Sequence, residues 1–113
     1  RTAEACARLG VADLRSLREA VGHRLMLVTR GPGGVMVFDG DSETLVPTIA
    51  VDKPVDICGA GDSFSAGTTL SLAAGASAVE AARFGNLVTS VTIMKKGTGT
   101  ASPAEVLAAE ARL

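Results

Sequence analysis

The stretch Asp56-Ile57-Cys58-Gly59-Ala60-Gly61-Asp62-Ser63-Phe64-Ser65-Ala66-Gly67 decides how this chain is read. Two glycines flank one alanine, an acidic residue follows, and a run of small and apolar residues suited to a helix comes next. Gly59 and Gly61 permit backbone conformations and close approaches that side chains block. Such a loop turns several backbone N–H groups toward one point at a helix N-terminus, a ready site for phosphate or another developing anion. Asp62 stands at the rim of that point, where a base could accept the proton of an attacking hydroxyl. A phosphoryl group in transfer spreads charge over its oxygens, so its catalysis is mostly positioning and electrostatic stabilisation. Taken alone, a loop of this pattern is more often a plain turn before a helix that its aspartate, here Asp62, caps. It is not the Walker pattern, because no Gly-Lys-Ser/Thr follows. It also lacks the third glycine of the dinucleotide fingerprint.

Upstream, Leu25–Thr29 is a continuous apolar run of the kind that forms a strand buried on both faces. Arg30-Gly31-Pro32-Gly33-Gly34 breaks it, and Val35–Phe38 reads as a second strand. A turn at Asp39–Ser42 leads to a third strand expected over 44–51. Pro47 marks that strand as an edge, because proline cannot donate to a ladder. The short connections make a meander with antiparallel pairing. Ahead of the strands, residues 2–9 and 12–21 read as two short helices broken at Gly10. His23 is the sole histidine and reads as structural.

Downstream the chain turns helical. A helix is expected over 62–74, with Gly75 as its C-cap. Ser77 and Glu80 form a capping box for a helix over 78–95, with Lys95 and Lys96 in its last turn. Ser102-Pro103-Ala104-Glu105 starts a final helix, with Ser at the N-cap, Pro at N1 and Glu at N3.

The 113 residues suffice for one small domain, and 47% apolar with 20% charged residues is a globular composition. A formal net charge of −1 and the absence of Trp and Tyr argue against nucleic acid as a partner. No segment has the length and purity of a membrane span. Cys6 and Cys58 lie far apart in no metal-ligand spacing, which favours reduced thiols and a cytoplasmic setting.

Four segments in register carry a family resemblance. Asp56-x-x-Gly59-Ala60-Gly61-Asp62-x-Phe64-x-x-Gly67 resembles the C-terminal signature of the PfkB, or ribokinase-like, carbohydrate kinases. Val28-Thr29-Arg30-Gly31-Pro32-Gly33-Gly34-Val35 resembles that family's VTxGxxG strand and turn. Ala81–Asn86 resembles its adenine-side helix. Lys96-Gly97-Thr98-Gly99-Thr100-Ala101-Ser102-Pro103 resembles its closing loop, in a form similar to heptose-phosphate kinases.

The resemblance implies an α/β, ribokinase-like fold, a Rossmann-like layered sheet with flanking helices. Residues 1–113 would be a single C-terminal nucleotide-binding and catalytic portion, which lacks the N-terminal part that carries most sugar contacts. It implies ATP-dependent phosphoryl transfer to a hydroxyl of a sugar or sugar phosphate, with Mg2+. Asp62 would be the base, and the amides of Gly59, Ala60, Gly61 and Asp62 the anion hole. Thr29, Gly31 and Gly34 would lie along the nucleotide phosphates, and Asn86 would line the nucleotide pocket. Asp56, with backbone oxygens near Cys58, Thr92, Lys95 and Gly97, would match a monovalent-cation site for K+. The alternative is a non-catalytic nucleotide-binding or regulatory module of the same fold. The exposed edge strand over 44–51 could pair two copies into a homodimer.

Overall fold

The computed structural model describes residues 2–113. In chain order the elements are α1 (Thr2–Leu9), α2 (Leu14–Val21), β1 (Leu25–Thr29), a 3-10 turn (Gly31–Gly33), β2 (Val35–Asp39), β3 (Ser42–Val46), α3 (Ala60–Ala73), α4 (Ala78–Thr92) and α5 (Pro103–Ala111). The chain divides into two compact units, the first running to Thr48 and the second spanning Ile49–Leu113.

In the first unit the strands form a three-stranded antiparallel meander, ordered β1-β2-β3. Gly40, at φ +59, sits in the two-residue turn that pairs Asp39 with Ser42. Val35, Val37, Phe38 and Val46 are buried and form the unit's core with Val28 and Leu17. β1 departs from its expected double burial. Leu25, Met26 and Leu27 are half-buried, because β2 alone pairs with this strand among the described residues. β3 stops at Val46 rather than running to 51. Pro47 follows at once and has no N–H to continue a ladder. α2 begins two residues later than expected because Asp13 is its N-cap and accepts the Ser16 N–H at 2.8 Å.

In the second unit α3 and α4 pack closely through small residues. Gly67 lies against Val88 and Gly85, and Gly85 faces Thr68 and Phe64. Ala81 and Ala82 are fully buried. Both capping boxes form, Ser77 with Glu80 and Ser102 with Glu105. α3 starts at Ala60, two residues before its expected start. Gly75, expected as its C-cap, lies one residue beyond the cap Ala74 at φ +96.

α4 ends at Thr92, so Lys95 and Lys96 lie past the helix rather than in its last turn. The reason is a competition for one carbonyl. Ile93 O accepts the N–H of Val55 (2.8 Å) and of Asp56 (3.0 Å). In a continuing helix that oxygen would take the N–H of Gly97. The Gly97 N–H goes instead to the Asp56 carboxylate. No helix among the described residues is long and apolar enough to cross a membrane.

Candidate active site

Asp56 organises the loop before α3. One of its oxygens accepts the Cys58 N–H at 2.8 Å and the other the Gly97 N–H at 3.0 Å. The chain then turns at Gly59, the N-cap of α3, whose φ of +78 is left-handed. A Cβ at Gly59 would lie 2.8 Å from Thr98 Cγ2, so the closing loop and the glycine loop are in direct contact. Cys58 Sγ and Thr98 Oγ1 lie 3.6 Å apart on the same seam.

Of the four N–H groups expected to form an anion hole, one is taken up within the turn. Ala60 N–H donates to Ile57 O at 3.1 Å, because the chain makes a tight turn into the helix. The N–H groups of Gly59, Gly61 and Asp62 take no acceptor among the described residues. A helix N-terminus with open amides carries partial positive charge. Asp62, in the first turn of α3, is exposed. It lines a cavity of about 680 Å³ walled by α3, α4, α5 and the closing loop, with Gly59, Phe84, Thr98 and Leu107 among its lining residues. A carboxylate on an otherwise largely apolar wall can orient a hydroxyl and accept its proton.

The five residues of the expected cation site cluster around the same seam. Asp56 joins Cys58 and Gly97. Thr92 O accepts the Lys95 N–H at 3.1 Å. Each Asp56 oxygen takes a single N–H and so retains a lone pair, which fits a cation ligand. No group of three or more His, Cys, Asp or Glu side chains that could hold a metal occurs among the described residues. Asn86 is buried on α4 and is not on the cavity wall.

Thr29, Gly31 and Gly34 belong to the first unit, where they form one strand-and-turn. Arg30 N–H donates to Gly34 O at 2.8 Å, and Gly34 N–H to Gly31 O at 3.1 Å. Gly34 has φ +89, and a Cβ there would meet Val46 O at 2.5 Å, so glycine is required.

Sequence reasoning missed Ile93 and Thr98. Ile93 gives its carbonyl to the glycine loop, and Thr98 packs its methyl on Gly59. Ile93 acts through its backbone and Thr98 through a packing contact, and neither role is announced by residue type.

A family model described as pfkB family carbohydrate kinase matches residues 3–105. The chain belongs to that family. Among curated sequences, the Bifunctional protein HldE of Pelobacter propionicus is 34% identical over 119 residues, covering 98% of this chain and 24% of that protein. The chain thus spans about a quarter of the length of the curated relatives it matches. Among solved structures, the ribokinase of Thermotoga maritima superposes with a TM-score of 0.85 over 97% of this chain and 39% of its own, at 24% identity. The fructokinase of Vibrio cholerae O395, in its fructose-, ADP- and calcium-bound form, has a TM-score of 0.81 at 25% identity, covering 95% of this chain and 38% of its own. A double mutant of that fructokinase has been solved with fructose, ADP and a potassium ion. The pfkB chain therefore has the α/β, ribokinase-like fold.

Proposed function

We propose that this chain supplies the phosphate- and proton-handling part of an ATP-dependent kinase acting on a hydroxyl of a sugar or sugar phosphate. The carrying observation is the set of open N–H groups at Gly59, Gly61 and Asp62 beside the exposed Asp62 carboxylate. It sits in a chain that belongs to a carbohydrate-kinase family.

In this reading Asp62 orients the acceptor hydroxyl and takes its proton as the alkoxide oxygen bonds to the γ-phosphorus. The bond from that phosphorus to the β-phosphate oxygen breaks, and ADP leaves. The three amides, with the dipole of α3 behind them, stabilise the charge on the transferring group. By family resemblance, Thr29, Gly31 and Gly34 of the first unit are assigned to the nucleotide phosphates, and Asn86 to the lining of the nucleotide pocket. Asp56 holds the glycine loop and could ligate a monovalent cation with carbonyls near Cys58, Thr92, Lys95 and Gly97. Magnesium would arrive with the nucleotide, held chiefly by its phosphate oxygens.

The cavity wall offers few polar groups to recognise sugar hydroxyls. Sugar selection is accordingly assigned to residues outside this chain. The test is ADP release by the full-length protein from ATP and Mg2+, across a panel of sugars and sugar phosphates. The reading predicts release stimulated by at least one of them. ATP binding by calorimetry without any stimulated release would instead identify a non-catalytic nucleotide module.

A further inference from the structure

Loop 97–102 after α4 forms one wall of the cavity that Asp62 lines, through Thr98, Gly99, Thr100 and Ala101. It carries no helix or strand of its own, yet it presses Thr98 onto Gly59. Two charged side chains grip it. At one end the Asp56 carboxylate takes the Gly97 N–H at 3.0 Å. At the other the Lys95 ammonium donates to Thr100 O at 2.5 Å. The same ammonium lies 2.8 and 2.9 Å from the two carboxylate oxygens of Glu105. Glu105 is in turn fixed by the capping box at the start of α5, where it accepts the Ser102 N–H at 3.1 Å. Gly99 threads between these anchors. A Cβ there would lie 2.6 Å from Thr92 O and 3.1 Å from the Lys95 Cβ.

We propose that the Lys95 side chain is a positioning residue for the phosphate site, a fixed ammonium that holds loop 97–101, and through Thr98 the Gly59 turn, in the geometry that leaves the α3 amides open. The chemistry at the two ends is complementary. An anion grips a backbone donor and a cation grips a backbone acceptor, and each charged hydrogen bond is stronger than a neutral one. Together these bonds restrain the segment between them against Gly59. Without the ammonium, Thr100 O loses its donor and the loop must be ordered on binding, at a cost in affinity. Glu105 keeps the ammonium pointed at Thr100 rather than at solvent. This role belongs to the side chain of Lys95, whereas the cation site proposed above uses only its backbone.

The inference rests on the kinase reading and is tested in the full-length protein by calorimetric titration with ADP. Lys95→Met should weaken ADP binding about tenfold, the loss expected of one charge-assisted hydrogen bond, with unchanged stoichiometry. Lys95→Arg, which keeps charge and donors, should recover most of that loss. Glu105→Gln should fall between wild type and Lys95→Met. Equal ADP affinity in wild type and Lys95→Met would overturn the proposal. So would a loss of stoichiometry at unchanged affinity, the mark of partial unfolding, or a Lys95→Arg variant no better than Lys95→Met. If the wild-type protein took up no nucleotide at all, the kinase reading itself would fail.

Discussion

Gly59 and Gly61 look alike in sequence and differ in the folded chain. Gly59 has φ +78 and Thr98 within 2.8 Å of where a Cβ would be. It is required by conformation and by packing. Gly61 lies inside α3 with nothing within 4 Å of its would-be Cβ. Gly61→Ala should therefore leave stability unchanged, or raise it by up to about 1 kcal/mol through helix propensity. If its amide serves an incoming phosphate, the same substitution should lower turnover, because a methyl group would stand in the approach. Thermal melting and steady-state kinetics on one variant check both halves. Gly59→Ala should lose stability as well as turnover. At this scale the sequence was informative about residue type and silent about which glycine the fold needs. The tight turn that takes the Ala60 N–H was likewise invisible in the residue string.

Among elements, the contact between α3 and α4 fixes the platform that presents Asp62. Gly85 is its narrowest point, where a Cβ would stand 2.2 Å from Thr68 Oγ1 and 2.8 Å from a Phe64 ring carbon. Gly85→Ala should push the helices apart and destabilise the protein by about 1–3 kcal/mol, read as a shift in denaturant midpoint. Gly67→Ala meets Val88 at 3.0 Å, a movable side chain, and should be milder. The α5 start is the other testable element. Lys95, followed by the Ser102 N–H, holds the Glu105 carboxyl down at about 2 from its ordinary 4.5. A depressed carboxylate pKa contributes stability that is complete above the unfolded value and disappears as pH falls through the folded one. Stability of the full-length protein should thus fall between about pH 4.5 and about pH 2, in part through this residue. Glu105→Gln should flatten that part of the acid limb in pH-dependent melting, and an unchanged slope would remove the assignment. The starts of α4 and α5 were legible because caps are local signals, as Ser77 and Ser102 show, whereas those of α2 and α3 were each displaced by two residues. The end of α4 was not legible. It is set by Val55 and Asp56, which lie far away in sequence and take the Ile93 carbonyl.

For the whole molecule, the order of helices and strands and the antiparallel meander could be read from periodicity and turns. The family could be read because four motifs stand in register, and the match to residues 3–105 bears this out. Harder to read was how the second unit builds its site. The Asp56 carboxylate ties the glycine loop to the closing loop across 41 residues of chain, a contact that spacing alone does not announce. The double burial expected of β1 failed for a related reason, since burial depends on neighbours that the strand's own composition does not specify. In the full-length protein, turnover of Asp62→Asn should be measured with the best sugar acceptor, alongside its ATP affinity. Loss of a general base predicts a fall in turnover of about a hundredfold or more, with ATP binding essentially unchanged. Turnover near that of the wild type would show that Asp62 is not the base.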